Sequence, residues 1–285
     1  MTSHFVAPAS VKVQYDLTDR VCLITGGAGF LGRQFAEAVG EMGGLPVLLD
    51  VTESELAKAA EQVRSVCGRC ETERLDVSLE QSLTEVVERI VSRHGRIDVL
   101  INNAALTRYG CDADPDKFFS PFESGSTAVW DAGLRINLTG VMLACKVVGP
   151  VMARQGKGSI INMGSDVGVI SPDQRIYERD DNAGYPGMPF NTPAFYSVSK
   201  AGVIHLTKHL ATLWAVKGVR VNCFSPAGVY RDHDPGFVTK LAECIPMGRM
   251  GAINEYKGAI VFLASDASSF MTGHNLIMDG GRTIW

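Results

Sequence analysis

The sequence has no long hydrophobic run, since no segment keeps 18 apolar residues together without a charged one. Its first residues, Met1-Thr2-Ser3-His4-Phe5, lack the basic stretch and the apolar core that a secretory leader requires. We therefore expect a chain that does not cross a membrane and that resides in the cytoplasm.

A large excess of charge of one sign is also missing. Lysine and arginine number 27 against 31 aspartates and glutamates, which leaves a net charge of −4 without any block of like charge. A chain without a basic patch is a poor partner for nucleic acid or for an anionic membrane surface. We therefore expect a small-molecule ligand, with neither nucleic acid nor membrane as a partner.

The sequence has few cysteines at the close spacing that is typical of metal or redox sites. The seven cysteines are odd in number and scattered, which is typical of reduced thiols buried as small apolar groups. Cys67 and Cys70 form a Cys-x-x-Cys pair, but no second such pair exists to complete a zinc site. His205 and His209 share a predicted helix without a third ligand nearby. The sequence therefore predicts no metal site.

What the sequence does have is a regular alternation of apolar strands and helices over 285 residues, of which 46% are apolar. Such alternation predicts a parallel sheet with helices on both faces, because the crossovers are right-handed. We predict an α/β fold: a single domain, residues 19–285, built on a Rossmann-type doubly wound parallel sheet, after an extension over residues 1–18. The predicted strands are 21–24, 46–50, 71–75, 97–101, 159–163, 219–226 and a closing strand and turn at 275–281; the predicted helices are 31–42, 53–66, 79–94, 127–153 and 196–216.

A glycine-rich turn joins the first strand to the first helix. Gly27, Gly29 and Gly32 spell G-x-G-x-x-G, in which the missing side chains let a pyrophosphate approach the backbone at the helix N-terminus. The second strand ends at Asp50, 18 residues after Gly32, where a carboxylate accepts both ribose hydroxyls of an adenosine and repels a 2′-phosphate. NAD is therefore favoured over NADP. The predicted contacts in the turn are Gly26, Gly27, Gly29, Phe30, Leu31 and Gly32.

Other polar side chains follow strands at the same edge of the sheet. Asp76 could accept a hydrogen bond from an adenine amino group or cap the helix that follows it, and both interpretations stay open. Asn103 and Ala104 follow the fourth strand, where ligands of such sheets bind, and are predicted to form the floor of the cofactor site. The prediction of the cofactor site is completed by Val77, Pro226 and Val229.

Tyr196 and Lys200 stand four residues apart on a predicted helix, so their side chains lie one above the other. A phenol is a weak acid near neutral pH, and a neighbouring ammonium group lowers its pKa. Such a pair can exchange a proton with a substrate hydroxyl or carbonyl group. Ser165 follows the fifth strand, so its hydroxyl faces the same cleft or belongs to an ordinary turn. Asn137, inside a predicted helix, could hold a water or a backbone group.

The chain resembles the short-chain dehydrogenase/reductase family over about residues 18–283, through seven features in the family's order: the turn at 25–32, Asp76-Val77, Asn102-Asn103-Ala104, Asn137, Ser165, Tyr196 with Lys200, and the segment 219–226. The resemblance implies a set of catalytic residues: Tyr196 as acid and base, Ser165 steadying the substrate oxygen, Lys200 holding the nicotinamide ribose and lowering the tyrosine pKa, and Asn137 holding a water of the proton relay. It also implies that Tyr196 and Lys200 contact the cofactor. Relatives form dimers or tetramers through helices that correspond to 127–153 and 196–216, so we expect a homodimer or homotetramer.

Three features depart from the family's pattern. The glycine spacing, with Phe30 where shorter members have glycine, is similar to that of extended members, many of which are nucleotide-sugar epimerases or dehydratases; only four residues follow the closing turn, too few for their substrate domain. Pro226-Ala227-Gly228 replaces the usual Pro-Gly, and the threonine that often follows is not evident. Residues 166–195 connect Ser165 to Tyr196 by an unusually long segment, which we interpret either as a flap over the cleft or as a contact with a neighbouring subunit.

The substrate prediction depends on a finer likeness. Residues 167–172 with 176–178, 226–228 with 234–238, and 273–277 are similar to oxidoreductases of bacterial nonulosonic-acid (legionaminic-type) sugar pathways. Polar side chains in 166–195, with Arg231 and His233, suit a hydroxylated or phosphorylated carbohydrate. We predict an NAD-dependent oxidoreductase that interconverts a secondary alcohol and a ketone of a sugar, sugar acid or polyol. The alternatives are a nucleotide-sugar epimerase or dehydratase, and a dinucleotide-sensing protein without chemistry.

Overall fold

The computed structural model describes residues 10–107, 120–177 and 192–285. The strands within these ranges are β1 (Val21–Thr25), β2 (Leu45–Asp50), β3 (Glu71–Arg74), β4 (Val99–Asn102), β5 (Gly158–Met163), β6 (Val219–Pro226) and β7 (Asn275–Met278). They form one parallel sheet in the order β3-β2-β1-β4-β5-β6-β7. The prediction of a single-domain α/β fold with a doubly wound parallel sheet is confirmed.

Helices connect the strands and cover both faces of the sheet. The described helices are α1 (Val11–Gln14), α2 (Phe30–Glu41), α3 (Glu53–Cys67), α4 (Glu80–His94), α5 (Thr127–Gln155), α6 (Ala194–Trp214), α7 (Pro235–Glu243) and α8 (Lys257–Ala264). Each of the five predicted helices begins and ends within two residues of an observed one. The helices α1, α7 and α8 were not predicted.

The strands have continuous apolar sequences because helices cover the sheet on both faces. All residues of β1 and β5 are buried. One core lies between the sheet and α4, α5 and α6, and the other lies between the sheet and α2, α3 and α8. Removal of this apolar surface from water is the main stabilising contribution to the fold.

Helix α5 is long and apolar enough to cross a membrane by composition, with a mean hydropathy of 1.6 in its most apolar window. In the fold it is a core helix, because Ala144, Val148 and Met152 are at most 1% exposed and pack against the sheet. Its apolar composition is therefore explained by burial within the domain.

Part of the predicted N-terminal extension packs onto the domain. Leu17 is fully buried against Phe35 and Val39, and its backbone N–H donates to the carbonyl of Met42 at 3.0 Å. Residues 1–9 lie outside the described ranges. The packed part of the chain therefore begins slightly before residue 19, where we placed the domain boundary.

The strand order reverses between β1 and β4, and in doubly wound sheets ligands bind at the carboxyl ends of the strands beside this reversal. Thr25 at the end of β1 lies opposite Asn102 at the end of β4. The glycine-rich turn leaves the sheet on one side of this crevice, and Asn103 leaves it on the other. The fold therefore brings two of the predicted cofactor contacts to one place.

Candidate active site

The glycine-rich turn approaches its own backbone so closely that side chains would not fit. Gly26 has a φ of +61°, a left-handed conformation that favours glycine. A Cβ atom on Gly32 would lie 2.2 Å from the carbonyl oxygen of Gly26, and one on Gly27 would lie 2.8 Å from the Cβ atom of Leu48. No side chain caps helix α2, whose N-cap is Gly29. The turn therefore leaves a bare helix N-terminus of the kind that holds a pyrophosphate.

The segment after β4 fixes this turn in place. The Asn103 side-chain amide donates to the carbonyl oxygens of Thr25 and Gly26, at 3.1 and 3.0 Å. The backbone N–H of Ala104 donates to the Thr25 hydroxyl at 3.1 Å. Asn103 and Ala104 thus line the crevice where we predicted the floor of the cofactor site.

The two strand-end carboxylates have different surroundings. Asp50 lies beside the glycine-rich turn, where one of its oxygens accepts from the Ala28 backbone N–H at 3.3 Å. Asp76 accepts from the Ser78 backbone N–H at 2.8 Å, ahead of helix α4, whose N-cap is Leu79. Asp76 therefore closes a turn rather than capping the helix, which removes one of the two interpretations. The adenine contact stays a prediction.

Val77 follows strand β3 and lies against helix α5. A Cβ atom on Gly140, in α5, would lie 3.1 Å from a methyl carbon of Val77. The lack of a side chain at Gly140 therefore lets α5 approach the end of β3. Leu31, in the first turn of α2, packs against the core that lies between the sheet and α2, α3 and α8.

Helix α6 presents Tyr196 and Lys200 at the carboxyl end of β5. Lys200 is 4% exposed, and its Nζ atom donates to the carbonyl oxygen of Met163 at 2.8 Å. The same Nζ atom lies 5.6 Å from the ring centroid of Tyr196. The predicted pair is therefore formed, and the last residue of β5 anchors it.

Ser165 follows β5 by two residues and faces Tyr196. The Ser165 hydroxyl donates to an Asp166 carboxylate oxygen at 2.8 Å, and it lies close enough to the Tyr196 phenol to lower the pKa of that phenol. Ser165 is 7% exposed. Of the two interpretations of Ser165, the structure supports the hydroxyl in the cleft, because it meets the phenol from the neighbouring helix.

The pKa values follow from burial more than from the pair itself. Burial raises the pKa of Tyr196 to about 12, with the Asp166 charge adding to the rise and the neighbouring Ser165 hydroxyl opposing it. Burial lowers the pKa of Lys200 to about 8. The expected lowering of the Tyr196 pKa by Lys200 is therefore not found in the protein alone. The physical reason is that loss of hydration disfavours both charged forms, and the ammonium group is directed at the Met163 carbonyl.

Asn137 is fully buried in a π-helical turn, Arg135–Thr139, inside α5. Its Oδ1 atom accepts from the Leu106 backbone N–H at 2.6 Å, and its amide donates to the Leu106 carbonyl at 3.2 Å. Of the two interpretations that we gave, the side chain therefore holds a backbone group. The π-helical turn places it there, and nothing in the sequence indicated that turn.

Two family models match the chain. Residues 20–177 match the model described as short chain dehydrogenase, and residues 185–283 match the one described as Enoyl-(Acyl carrier protein) reductase. The chain belongs to the short-chain dehydrogenase family. It is a short-chain dehydrogenase/reductase acting on CH–OH groups. Members of this family bind a nicotinamide dinucleotide, and the bare helix N-terminus, Asp50 and Asn103 fit one.

Curated relatives of this short-chain dehydrogenase match over nearly the whole length. The 3-oxoacyl-(acyl-carrier-protein) reductase of Thermotoga maritima is 33% identical over 272 residues, which cover 94% of this chain and 99% of that protein. The D-threitol dehydrogenase of Mycolicibacterium smegmatis is 32% identical over 280 residues, which cover 96% of this chain and 97% of that protein.

Solved structures of similar proteins share the fold of this dehydrogenase. An NAD⁺-bound xylitol dehydrogenase is 30% identical with a TM-score of 0.79, over 93% of this chain and 99% of that one. A gluconate 5-dehydrogenase of Burkholderia cenocepacia, in complex with NADP and tartrate, is 28% identical with a TM-score of 0.81, over 96% and 99% of the two chains.

The loop after β6 closes over the glycine-rich turn of this dehydrogenase. The Arg231 guanidinium carbon lies 4.8 Å from the ring centroid of Phe30, a cation–π contact. This contact gives a physical role to Phe30, at the position where shorter members have glycine. Pro226 ends β6 in register with Met278, and Val229 forms an isolated bridge with Gly251. Sequence reasoning missed the contact between Phe30 and Arg231, because it joins distant loops.

The long segment between Ser165 and Tyr196 is described only at its ends, since residues 178–191 lie outside the described ranges. Thr192 donates its hydroxyl proton to the Tyr177 hydroxyl oxygen at 2.7 Å, so the two ends of the segment meet. The Tyr177 ring stacks on Phe237 of helix α7 with centroids 5.5 Å apart, and Phe237 in turn lies 5.4 Å from the His233 ring. The choice between a flap and a subunit contact stays open.

The two pairs of candidate metal ligands, Cys67 with Cys70 and His205 with His209, lie on different elements. Cys67 and Cys70 are both free thiols, and burial raises the pKa of each. His205 and His209 are exposed on α6. Among the residues that the structure describes, no group of three metal-ligating side chains is found.

Proposed function

We propose that this short-chain dehydrogenase is an NAD-dependent enzyme that interconverts a secondary alcohol and a ketone of a sugar, sugar acid or polyol. The single observation that carries the proposal is the placement of Ser165 and Tyr196 beside buried Lys200, at the carboxyl end of β5. A phenol and a second hydroxyl that meet in a cleft can hold one substrate oxygen between them.

In this proposal each side chain has a role that its surroundings allow. Tyr196 is protonated at neutral pH, because burial raises its pKa, and is therefore set to give a proton to a carbonyl oxygen or to pass on the proton of an alcohol. Ser165 lies beside the same oxygen. Lys200 holds the nicotinamide ribose. A relay water would bind the main-chain carbonyl of Asn137, because the Asn137 side chain is already hydrogen-bonded to the backbone of Leu106. The nicotinamide cofactor, when bound, accepts or supplies the hydride.

NAD is the proposed cofactor because Asp50 ends β2 beside the glycine-rich turn. Its carboxylate would repel the 2′-phosphate of NADP and accept the ribose hydroxyls of NAD. The nearest arginine on α2, Arg33, donates to the Gln62 side chain at 2.8 Å, so its guanidinium group is directed at α3. Contacts of the bound cofactor with Gly26, Gly27, Gly29, Phe30, Leu31, Gly32, Asp76, Val77, Asn103, Ala104, Pro226 and Val229 are part of the same proposal.

The substrate class rests on the polar cleft and on the relatives. A D-threitol dehydrogenase and the structure of a xylitol dehydrogenase are among the similar proteins. Arg231 and His233 lie on the loop that closes over the glycine-rich turn, where they can meet a hydroxylated or charged substrate. A nonulosonic-acid-type sugar is one member of this class and stays a prediction.

The proposal is tested by following absorbance at the reduced-nicotinamide band with NAD and with NADP. The panel contains D-threitol, xylitol, glycerol, gluconate, a nonulosonic acid and an acetoacetyl thioester, the last to represent acyl substrates. Turnover with a polyol or sugar acid and NAD supports the proposal, and turnover with the thioester alone contradicts the substrate class. Silence with every member despite tight NAD binding would favour a dinucleotide sensor.

We also propose a cytoplasmic homodimer or homotetramer, assembled through α5 and α6. Both helices leave large apolar side chains exposed: Met142 on α5 is 37% exposed, and Val198 and Leu213 on α6 are 48% and 51% exposed. Apolar surface at these positions is suited to an interface between copies. Light scattering coupled to size exclusion measures the subunit count, and a monomer would contradict this part of the proposal.

A further inference from the structure

The residue after Ser165, Asp166, belongs to a buried ion pair. The Arg282 guanidinium group lies 2.5 Å from an Asp166 carboxylate oxygen, and the two side chains are only 7% and 4% exposed. A carboxylate removed from water is costly unless a positive group and further hydrogen bonds compensate its charge. The pair joins the residue after Ser165 to a residue 116 positions later in the chain.

The turn after β7 delivers Arg282 to this position. The Asp279 carboxylate accepts from the backbone N–H groups of Gly281 at 2.8 Å and of Thr283 at 2.7 Å. Gly280 and Gly281 have φ values of +65° and +92°, which favour glycine. The turn therefore folds back on itself, and Arg282 between these contacts is 6% exposed.

The other oxygen of Asp166 controls the Ser165 hydroxyl. It accepts from the Ser165 hydroxyl and from the Val167 backbone N–H, both at 2.8 Å. A serine hydroxyl has one proton to donate, and an ionised carboxylate can only accept. The Ser165 proton is therefore committed to Asp166, and the lone pairs of its oxygen are what remain for the cleft.

This orientation distinguishes the two forms of a substrate. An alcohol carries a proton that it can donate to the Ser165 oxygen, whereas a ketone oxygen only accepts and would face lone pairs. We propose that Asp166, held by Arg282, is a positioning residue that turns the Ser165 hydroxyl into a hydrogen-bond acceptor, so that the site binds an alcohol in preference to the ketone formed from it. This inference rests on the proposed role of Ser165 in binding the substrate oxygen.

The test compares the affinity of the loaded enzyme for both forms of one substrate. Binding of D-threitol is measured in the presence of NADH, and binding of erythrulose in the presence of NAD, so that neither complex can react. If the enzyme turns over another alcohol of the panel faster, that alcohol and its ketone are used instead. We expect the wild-type enzyme to bind the alcohol about tenfold more tightly, which is the size of one hydrogen bond made or lost. Equal affinity, or tighter binding of the ketone, contradicts the inference without any variant.

The variant that frees the Ser165 proton is Asp166→Ala combined with Arg282→Met, since the double change leaves no buried charge without a partner. We expect the ratio of ketone to alcohol dissociation constants to fall about tenfold, because the hydroxyl can then turn toward the ketone. Arg282→Lys keeps the positive charge and should keep the wild-type ratio. Asp266→Ala combined with Arg20→Met removes an ion pair, which Lys157 also joins, at the amino ends of the strands, and should also leave the ratio unchanged.

The outcomes separate this inference from the proposed function. An unchanged ratio in the Asp166 and Arg282 double variant, with Ser165→Ala nearly inactive, overturns the inference and leaves the proposed function intact. Wild-type turnover by Ser165→Ala overturns the proposed role of Ser165 and the inference with it. If the double variant does not fold, the affinities of the wild-type enzyme and of Arg282→Lys still decide the question.

Discussion

The Lys200 ammonium group donates to the main-chain carbonyl of Met163 at 2.8 Å, and this bond ties helix α6 to the end of strand β5. The helix carries Tyr196, and the strand leads to Ser165 within two residues. This buried contact therefore holds the helix that carries Tyr196 against the strand that leads to Ser165. The cost of this contact is the burial of a charged amine, which lowers the pKa of Lys200 to about 8.

Lys200→Met should reduce turnover at least about 100-fold, because the change removes the charge beside Tyr196 and the ribose contact that we assign to Lys200. The methionine side chain fills a similar space, so thermal unfolding should remain cooperative. Lys208→Met, which alters an exposed lysine on the same helix, is the matched control and should retain wild-type turnover. Turnover of Lys200→Met within twofold of the control would remove Lys200 from the proposed site.

Gly32→Ala should weaken binding of NADH about tenfold or more. A Cβ atom there would lie 2.2 Å from the Gly26 carbonyl oxygen, so the glycine-rich turn must move away from the helix N-terminus. The matched control is Gly258→Ala in helix α8, where nothing lies within 4 Å of the added atom. Fluorescence titration with NADH measures both. If the two variants bind NADH equally, the cofactor does not occupy this turn.

Asp50→Ala should abolish most of the preference for NAD. The carboxylate repels a 2′-phosphate, so we expect the wild-type enzyme to bind NADH about tenfold more tightly than NADPH and the variant to bind them within about threefold. Glu53→Ala, which alters an exposed carboxylate at the start of α3, should keep the preference. A wild-type enzyme that favours NADPH would show that the strand-end carboxylate does not select the cofactor.

The Asp166 charge should be visible in the pH dependence of alcohol oxidation. This charge raises the Tyr196 pKa, as burial does, so Asp166→Asn should lower that pKa and move the rising limb of the rate profile toward lower pH. Tyr177 and Lys200, which also lie near the phenol, are unchanged in the variant, and a Ser165 hydroxyl released from Asp166 would lower the Tyr196 pKa further in the same direction. Arg282→Lys keeps the ion pair and should leave the limb in place. A limb that moves toward higher pH in Asp166→Asn would contradict this electrostatic assignment.

Local sequence patterns were enough to predict the sheet and the glycine-rich turn. The runs that form β1 and β5 are buried on both faces, and such burial leaves a continuous apolar stretch that can be read from the sequence. The closeness of Gly32 to the Gly26 backbone likewise explains why only glycine fits there. The pair of Tyr196 and Lys200 was predictable because a helix fixes the relation of residues four apart.

Contacts between distant segments could not be predicted in the same way. Asp166 and Arg282 are 116 residues apart, and the sequence around either residue does not indicate an ion pair. The π-helical turn around Asn137 depends on the bonds that its side chain makes to Leu106. The pKa of Tyr196 was predicted in the wrong direction for the protein alone, because the sequence gives the neighbouring lysine but not the degree of burial.

The most direct test of the account is Tyr196→Phe, which removes only the phenolic oxygen. The account predicts that the variant binds NADH within about twofold of the wild-type enzyme, because the ring and its packing remain, while alcohol oxidation falls at least about 1,000-fold for want of the acid and base. Both quantities are measured on one preparation, by fluorescence titration and by absorbance at the reduced-nicotinamide band. Turnover comparable to that of the wild-type enzyme would contradict the central claim that Tyr196 transfers the proton.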